Sequence, residues 1–227
     1  MDVFEYGNRD AKIVLIQPVD EHDLDMIESE IAAIREKTAK DFRLVACKVN
    51  SWNRDLSPWK APAVFGREDF GEGAAATLHK ILSFCADQTK TYYIGGYSLA
   101  GLFALWVGYQ TNCFCGVAAA SPSLWFPGFT DFMEAREILS RHVYLSLSDR
   151  EERTRNPVMA KVNECIRIQT ELLTENRVSC TLEWNKGDHF KESGIRIAKA
   201  FAWCIHSIVR DTAAKAVGTA GDSSTTL

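Results

Sequence analysis

Apolar positions along this chain alternate between short continuous runs and longer stretches of helical period. Lys12-Ile13-Val14-Leu15-Ile16-Gln17 is a run of the first kind, closed by Pro18, and predicts a buried strand. Leu24, Ile27, Ile31 and Ile34 then recur at helical spacing. Asp23 suits the cap of that helix, Asp25 its first turn, and Lys37 and Lys40 its last. Strands are predicted next at 42–49, 91–95, 115–120, 142–147 and 179–184. Helices are predicted at 73–87 and 99–108, over the stripe Val158, Val162, Cys165, Ile166 and Leu173, and over Ile195, Ala198, Phe201, Ile205 and Ile208. Asn156 and Pro157 read as cap and first-turn signals for the third of these helices.

Strand–helix alternation throughout implies an α/β fold, a mostly parallel sheet with helices on both faces. One domain is expected over residues 1–211. From 212 to 227 the chain is mostly Ala, Gly, Ser and Thr with little to bury, and a disordered tail is expected. Residues 50–72 are irregular but hold Trp52, Trp59, Phe65 and Phe70, which argues for an ordered, functional loop. Parallel sheets place their sites outside the carboxyl ends of the strands, so chemistry belongs there.

Composition narrows the classes. With 227 residues, 46% hydrophobic and 25% charged, the chain can bury a full core without staples. A net charge of -4 with interspersed signs predicts neither nucleic acid nor an anionic membrane as partner. No apolar run reaches the roughly eighteen residues of a membrane span. Met1-Asp2-Val3-Phe4-Glu5 lacks the features of a signal peptide, so a cytoplasmic location is expected. Seven cysteines without a C-x-x-C pair predict reduced thiols, with no disulfide and no metal site.

Gly96-Tyr97-Ser98-Leu99-Ala100-Gly101 follows a predicted strand and opens a predicted helix. A serine in that setting sits on a sharp turn with its hydroxyl exposed, and its neighbours two before and two after must be small. Gly96 and Ala100 meet that need, although the strict G-x-S-x-G pattern has glycine where Ala100 stands. Leu99 offers a backbone N–H at the helix N-terminus, suited to a developing oxyanion. A nucleophilic serine needs a base. Of five histidines, His189 alone lies in a turn after a late strand, in Gly187-Asp188-His189-Phe190. An acid is needed to fix the imidazole tautomer. Asp149, Glu151 and Glu152 all follow the 142–147 strand. The chain order serine, acid, histidine is that of α/β-hydrolases.

Three segments carry a resemblance: residues 93–105 around Ser98, Ser121-Pro122-Ser123-Leu124-Trp125-Phe126, and 187–190. On these the chain resembles α/β-hydrolase-fold serine esterases, in the group that includes esterase D and the enterochelin esterases. The resemblance spans residue 11 to about 208. It implies an α/β-hydrolase-like sheet without a lid domain, and hydrolysis of a small-molecule carboxylic ester through an acyl-enzyme, with no cofactor. Acyl transfer or thioester hydrolysis would use the same residues, and a non-catalytic binding protein is the class-level alternative. In that group the acid lies about three residues past the small residue ending the strand. Ser148 stands there, which points to Glu151. The second oxyanion donor comes from the loop after the strand ending at Gln17. Pro18 has no N–H, so Val19 is implied. Trp52 and Trp125 are expected to wall the substrate pocket; the competing expectation is that the aromatic loop packs on itself.

Overall fold

The computed structural model describes the backbone of residues 1–220 and the side chains of residues 1–207. Seven strands form one sheet: β1 (Asp2–Gly7), β2 (Ile13–Val19), β3 (Phe42–Lys48), β4 (Thr91–Tyr97), β5 (Phe114–Ala120), β6 (His142–Ser148) and β7 (Ser179–Asn185). Their spatial order is β1-β3-β2-β4-β5-β6-β7, with β1 antiparallel to β3 and every other pair parallel. The helices are α1 (Glu21–Thr38), α2 (Trp52–Asp55), α3 (Ala74–Leu82), α4 (Leu99–Gln110), α5 (Phe129–Glu134), α6 (Val162–Glu175) and α7 (Ser193–Ala220).

Side chains of a strand alternate between its faces, and here both faces are covered. Leu15, Leu44, Tyr93, Ala118 and Tyr144 pack under α1 and α7. Val14, Ile16, Val45, Ile94, Val117 and Leu145 face a larger core with α3, α4 and α6. Central strands buried on both sides explain the continuous apolar runs in the sequence.

Several expected boundaries shift. β1 was not predicted: as an edge strand paired on one side it keeps polar residues, and Glu5 reaches Arg43 on β3. α1 is capped by Asp20 rather than Asp23, which sits at the third helical position and closes a capping box back onto the Asp20 N–H. Asn156 accepts from the Val158 and Met159 N–H groups and leads into a 3-10 turn at Met159–Lys161 before α6 begins at Val162. The loop 50–72 contains the short helix α2 and an Ala61–Phe70 bridge. α5 follows Gly128, whose φ of +79° suits glycine; six residues gave too little periodicity to read. On α7, Ile197 rather than Ile195 faces the core. The backbone of α7 runs on to Ala220, past the expected domain end at 211, over an Ala-rich stretch of high helix propensity. The remainder of the expected tail, 221–227, lies outside the described residues. Among the described residues no helix is long and apolar enough to cross a membrane, and the seven cysteines are unpaired thiols.

One buried acid stands apart. Glu30 of α1 is 5% exposed and touches only the amide of Gln17, at 3.4 Å, among the contacts of its carboxylate. Burial pushes its pKa to about 8, with the nearby Asp23 charge adding to the rise. The folded chain therefore holds this proton up to about pH 8, whereas the unfolded chain releases it near 4.5. The contribution of this group to stability is greatest below the lower value and falls as pH climbs to the higher, by roughly 5 kcal/mol in all. Glu30→Gln should melt several degrees above wild type at about pH 9 and lose that margin near pH 4. Parallel melting curves at both pH values would contradict this.

Candidate active site

The turn between β4 and α4 holds Ser98 at φ 57°, ψ -120°, a conformation costly for a non-glycine residue. It persists because its backbone is tied on both sides: the Ser98 N–H donates to the Ala120 carbonyl, and the Ser98 carbonyl accepts from Leu102 and Ser123. A Cβ on Gly96 would lie 2.6 Å from Ala100, so a small residue at 96 is a steric requirement and Ala100 is accommodated.

Ser98 Oγ lies 3.0 Å from His189 Nε2, and His189 Nδ1 lies 2.7 Å from Glu151 Oε2. Of the three acids after β6, only Glu151 meets the imidazole. Asp149 instead accepts from the Gly187 N–H, tying down the histidine turn, and Glu152 accepts from Asn163. Glu151 Oε1 accepts from Ser121 Oγ at 2.8 Å, from the Ser148 N–H at 2.8 Å and from Arg196 at 3.3 Å. Burial by itself raises the pKa of this carboxyl, but the bonds from His189, Ser121 and Ser148 outweigh it and leave Glu151 below the ordinary carboxylate value.

Arg196 escaped the sequence reading. It is 2% exposed, and its guanidinium also donates to the Tyr97 hydroxyl at 2.6 Å, to Ser121 Oγ and to the Asp188 carbonyl. Tyr97 in turn donates to the His189 carbonyl, and burial pushes its phenol up to about 12. The signal was present: read with Ile197, Phe201 and Cys204, the buried stripe of α7 takes in position 196, and an arginine on such a face needs buried acceptors. Ser148 donates its hydroxyl to the Asp188 carbonyl.

A cavity of about 260 Å³ opens beside Ser98 and His189, and both Trp52 and Trp125 line it. Phe65 lines it too, with its ring edge-on to Trp125. Trp59 and Phe70 do not: they pack on Phe126, and Trp59 also on Phe129, as a core for the loop. Trp52 and Phe65 of this loop thus line the cavity, while Trp59 and Phe70 form the loop's own core. Leu99 is the first residue of α4, where a backbone N–H has no intrahelical acceptor. Val19 is different. Its carbonyl accepts from the Val49 N–H on the β3 side, and the N–H and carbonyl of one strand residue face the same way. Val19 therefore turns its polar edge away from β4 and Ser98, which removes the support for an oxyanion role. Among the described residues no group of three or more His, Cys, Asp or Glu is placed to hold a metal.

Similar folds occur among solved structures. A siderophore hydrolase from Aspergillus nidulans superposes with a TM-score of 0.65 at 17% identity, covering 88% of this chain and 86% of that one. An IroE-like serine hydrolase from Shewanella oneidensis gives 0.71 at 14% identity, covering 88% and 74%. The chain has the α/β-hydrolase fold. An enterobactin esterase from Shigella flexneri gives 0.62 at 13% identity over 91% of this chain, which spans only 55% of that enzyme. No model of a known protein family matches the sequence, and no curated protein is similar to it in sequence. Within the α/β-hydrolase fold the strand ends that carry Ser98, Glu151 and His189 here are those of β4, β6 and β7.

Proposed function

We propose that this chain is a serine hydrolase that cleaves small carboxylic esters through an acyl-enzyme. The observation that carries the reading is the continuous relay Ser98–His189–Glu151, with contacts of 3.0 and 2.7 Å, opening on an apolar cavity. In the reaction Ser98 Oγ attacks the ester carbon while His189 Nε2 takes its proton. Glu151 accepts from Nδ1–H, fixes that tautomer and balances the imidazolium. The Leu99 N–H, at the positive end of α4, faces the oxyanion as it forms. His189 then passes the proton to the departing alcohol. Water attacks the acyl-enzyme with the same base, and Ser98 is restored. The likeness in fold to proteins described as esterases and hydrolases agrees with this reading.

Labelling with a fluorophosphonate probe tests it. Wild type should be modified at Ser98, and Ser98→Ala should not react. Modification elsewhere, or equal labelling of both proteins, would overturn the proposal.

A further inference from the structure

The cavity beside Ser98 has walls of one chemical kind. Trp52, Phe65, Trp125, Met159, Val162 and Phe190 supply its apolar surface. Phe190 is 88% exposed and Phe65 41% exposed, so these two rings stand at the mouth. Trp125 is buried and forms the floor.

Beside the indole N–H groups of Trp52 and Trp125, the polar groups that border the cavity are Ser98, Ser121, Glu151 and His189, and each of these four is already engaged. Both Glu151 oxygens are taken, one by His189 and the other by Ser121, Ser148 and Arg196. Ser121 Oγ donates to Glu151 and accepts from Arg196. Ser98 and His189 face each other. No lysine or arginine lines the cavity. Arg54, on the helix next to Trp52, is paired with Asp55, and Arg196 spends its donors beneath the site. A hydroxyl or carboxylate carried into this space would lose its water, and with no cation on the wall only an indole N–H could answer it.

We infer that the acyl group accepted here is uncharged and free of hydrogen-bonding substituents: an apolar chain or plain ring. At about 30 Å³ for each water-sized group, the cavity takes roughly nine such groups. Longer chains project between Phe65 and Phe190. This inference rests on the ester-hydrolase reading for the reaction, but the pocket chemistry itself is separately testable.

Matched nitrophenyl esters of hexanoate, 6-hydroxyhexanoate and adipate share a chain length and differ only at its tip. Wild-type kcat/KM should fall at least about tenfold for the hydroxyl and about a hundredfold or more for the carboxylate. Met159→Lys places the missing cation on the cavity wall and should shift the preference towards adipate. Binding of methyl hexanoate and of monomethyl adipate to Ser98→Ala, followed by tryptophan fluorescence through Trp52 and Trp125, reads the pocket without turnover. Methyl hexanoate should bind more tightly. Equal or better binding or turnover of the charged or hydroxylated member overturns the inference. Tighter binding of methyl hexanoate by a protein that hydrolyses none of the esters supports the inference while refuting the ester-hydrolase reading.

Discussion

Glu151→Gln should lower turnover by on the order of 10³–10⁴, the scale seen when the acid of a serine–histidine–acid relay loses its charge. Gln can still accept through its oxygen, but it no longer balances an imidazolium. If its NH₂ faces Nδ1, it also favours the wrong tautomer. The same change leaves the Arg196 guanidinium without its counter-charge, so a lower melting temperature should accompany the loss. Activity must therefore be read where circular dichroism shows the variant folded. Asp149→Asn keeps the acceptor for the Gly187 N–H, and Glu152→Gln keeps the contact to Asn163, so each should cost less than about tenfold. Loss of activity in Asp149→Asn comparable to that in Glu151→Gln would place the acid's work elsewhere.

Ser98→Ala and His189→Ala should each abolish ester hydrolysis down to the residual that binding and oxyanion stabilisation provide, a loss on the order of 10⁵–10⁶. The double variant should be hardly worse than either single one, because a base without its nucleophile has no proton to take. Additive losses in kcat would mean that the two side chains act in separate steps. Neither change should unfold the chain. Ser98 gives up a strained backbone only if the turn relaxes, and that turn is held by Ala120, Leu102 and Ser123 rather than by the hydroxyl.

The parallel core was legible because strands buried on both faces leave long apolar runs, as at 12–17 and 142–147. Ser98 and the three candidate acids follow such runs, where the chain must turn; the choice of Glu151 among them came from the resemblance, and His189 stood out by its turn after a late, only half-buried strand. What stayed hidden was whatever a sequence encodes weakly. β1 pairs along one edge and needs no apolar run. α5 is too short for its period to register. Val19 looked suitable by position, but which way a strand's N–H points depends on its partner strand, and that is a property of the sheet. Arg196 was hidden by its own charge: a residue type that is mostly exposed was passed over on a helix face that is buried.

That arginine also sets the order in which the site can come into being. Its guanidinium reaches Tyr97, Ser121, Glu151 and Asp188, which lie 99, 75, 45 and 8 residues earlier in the chain. A growing chain that has emerged only as far as His189 already carries the nucleophile, the acid and the base. It still lacks the clasp that gathers four separate strand ends, and Glu151 lacks its buried counter-charge. Contacts of such long sequence separation form late, after the entropy of closing the intervening loops has been met. The arrangement around Ser98, Glu151 and His189 is thus completed only when α7 docks against the strand ends.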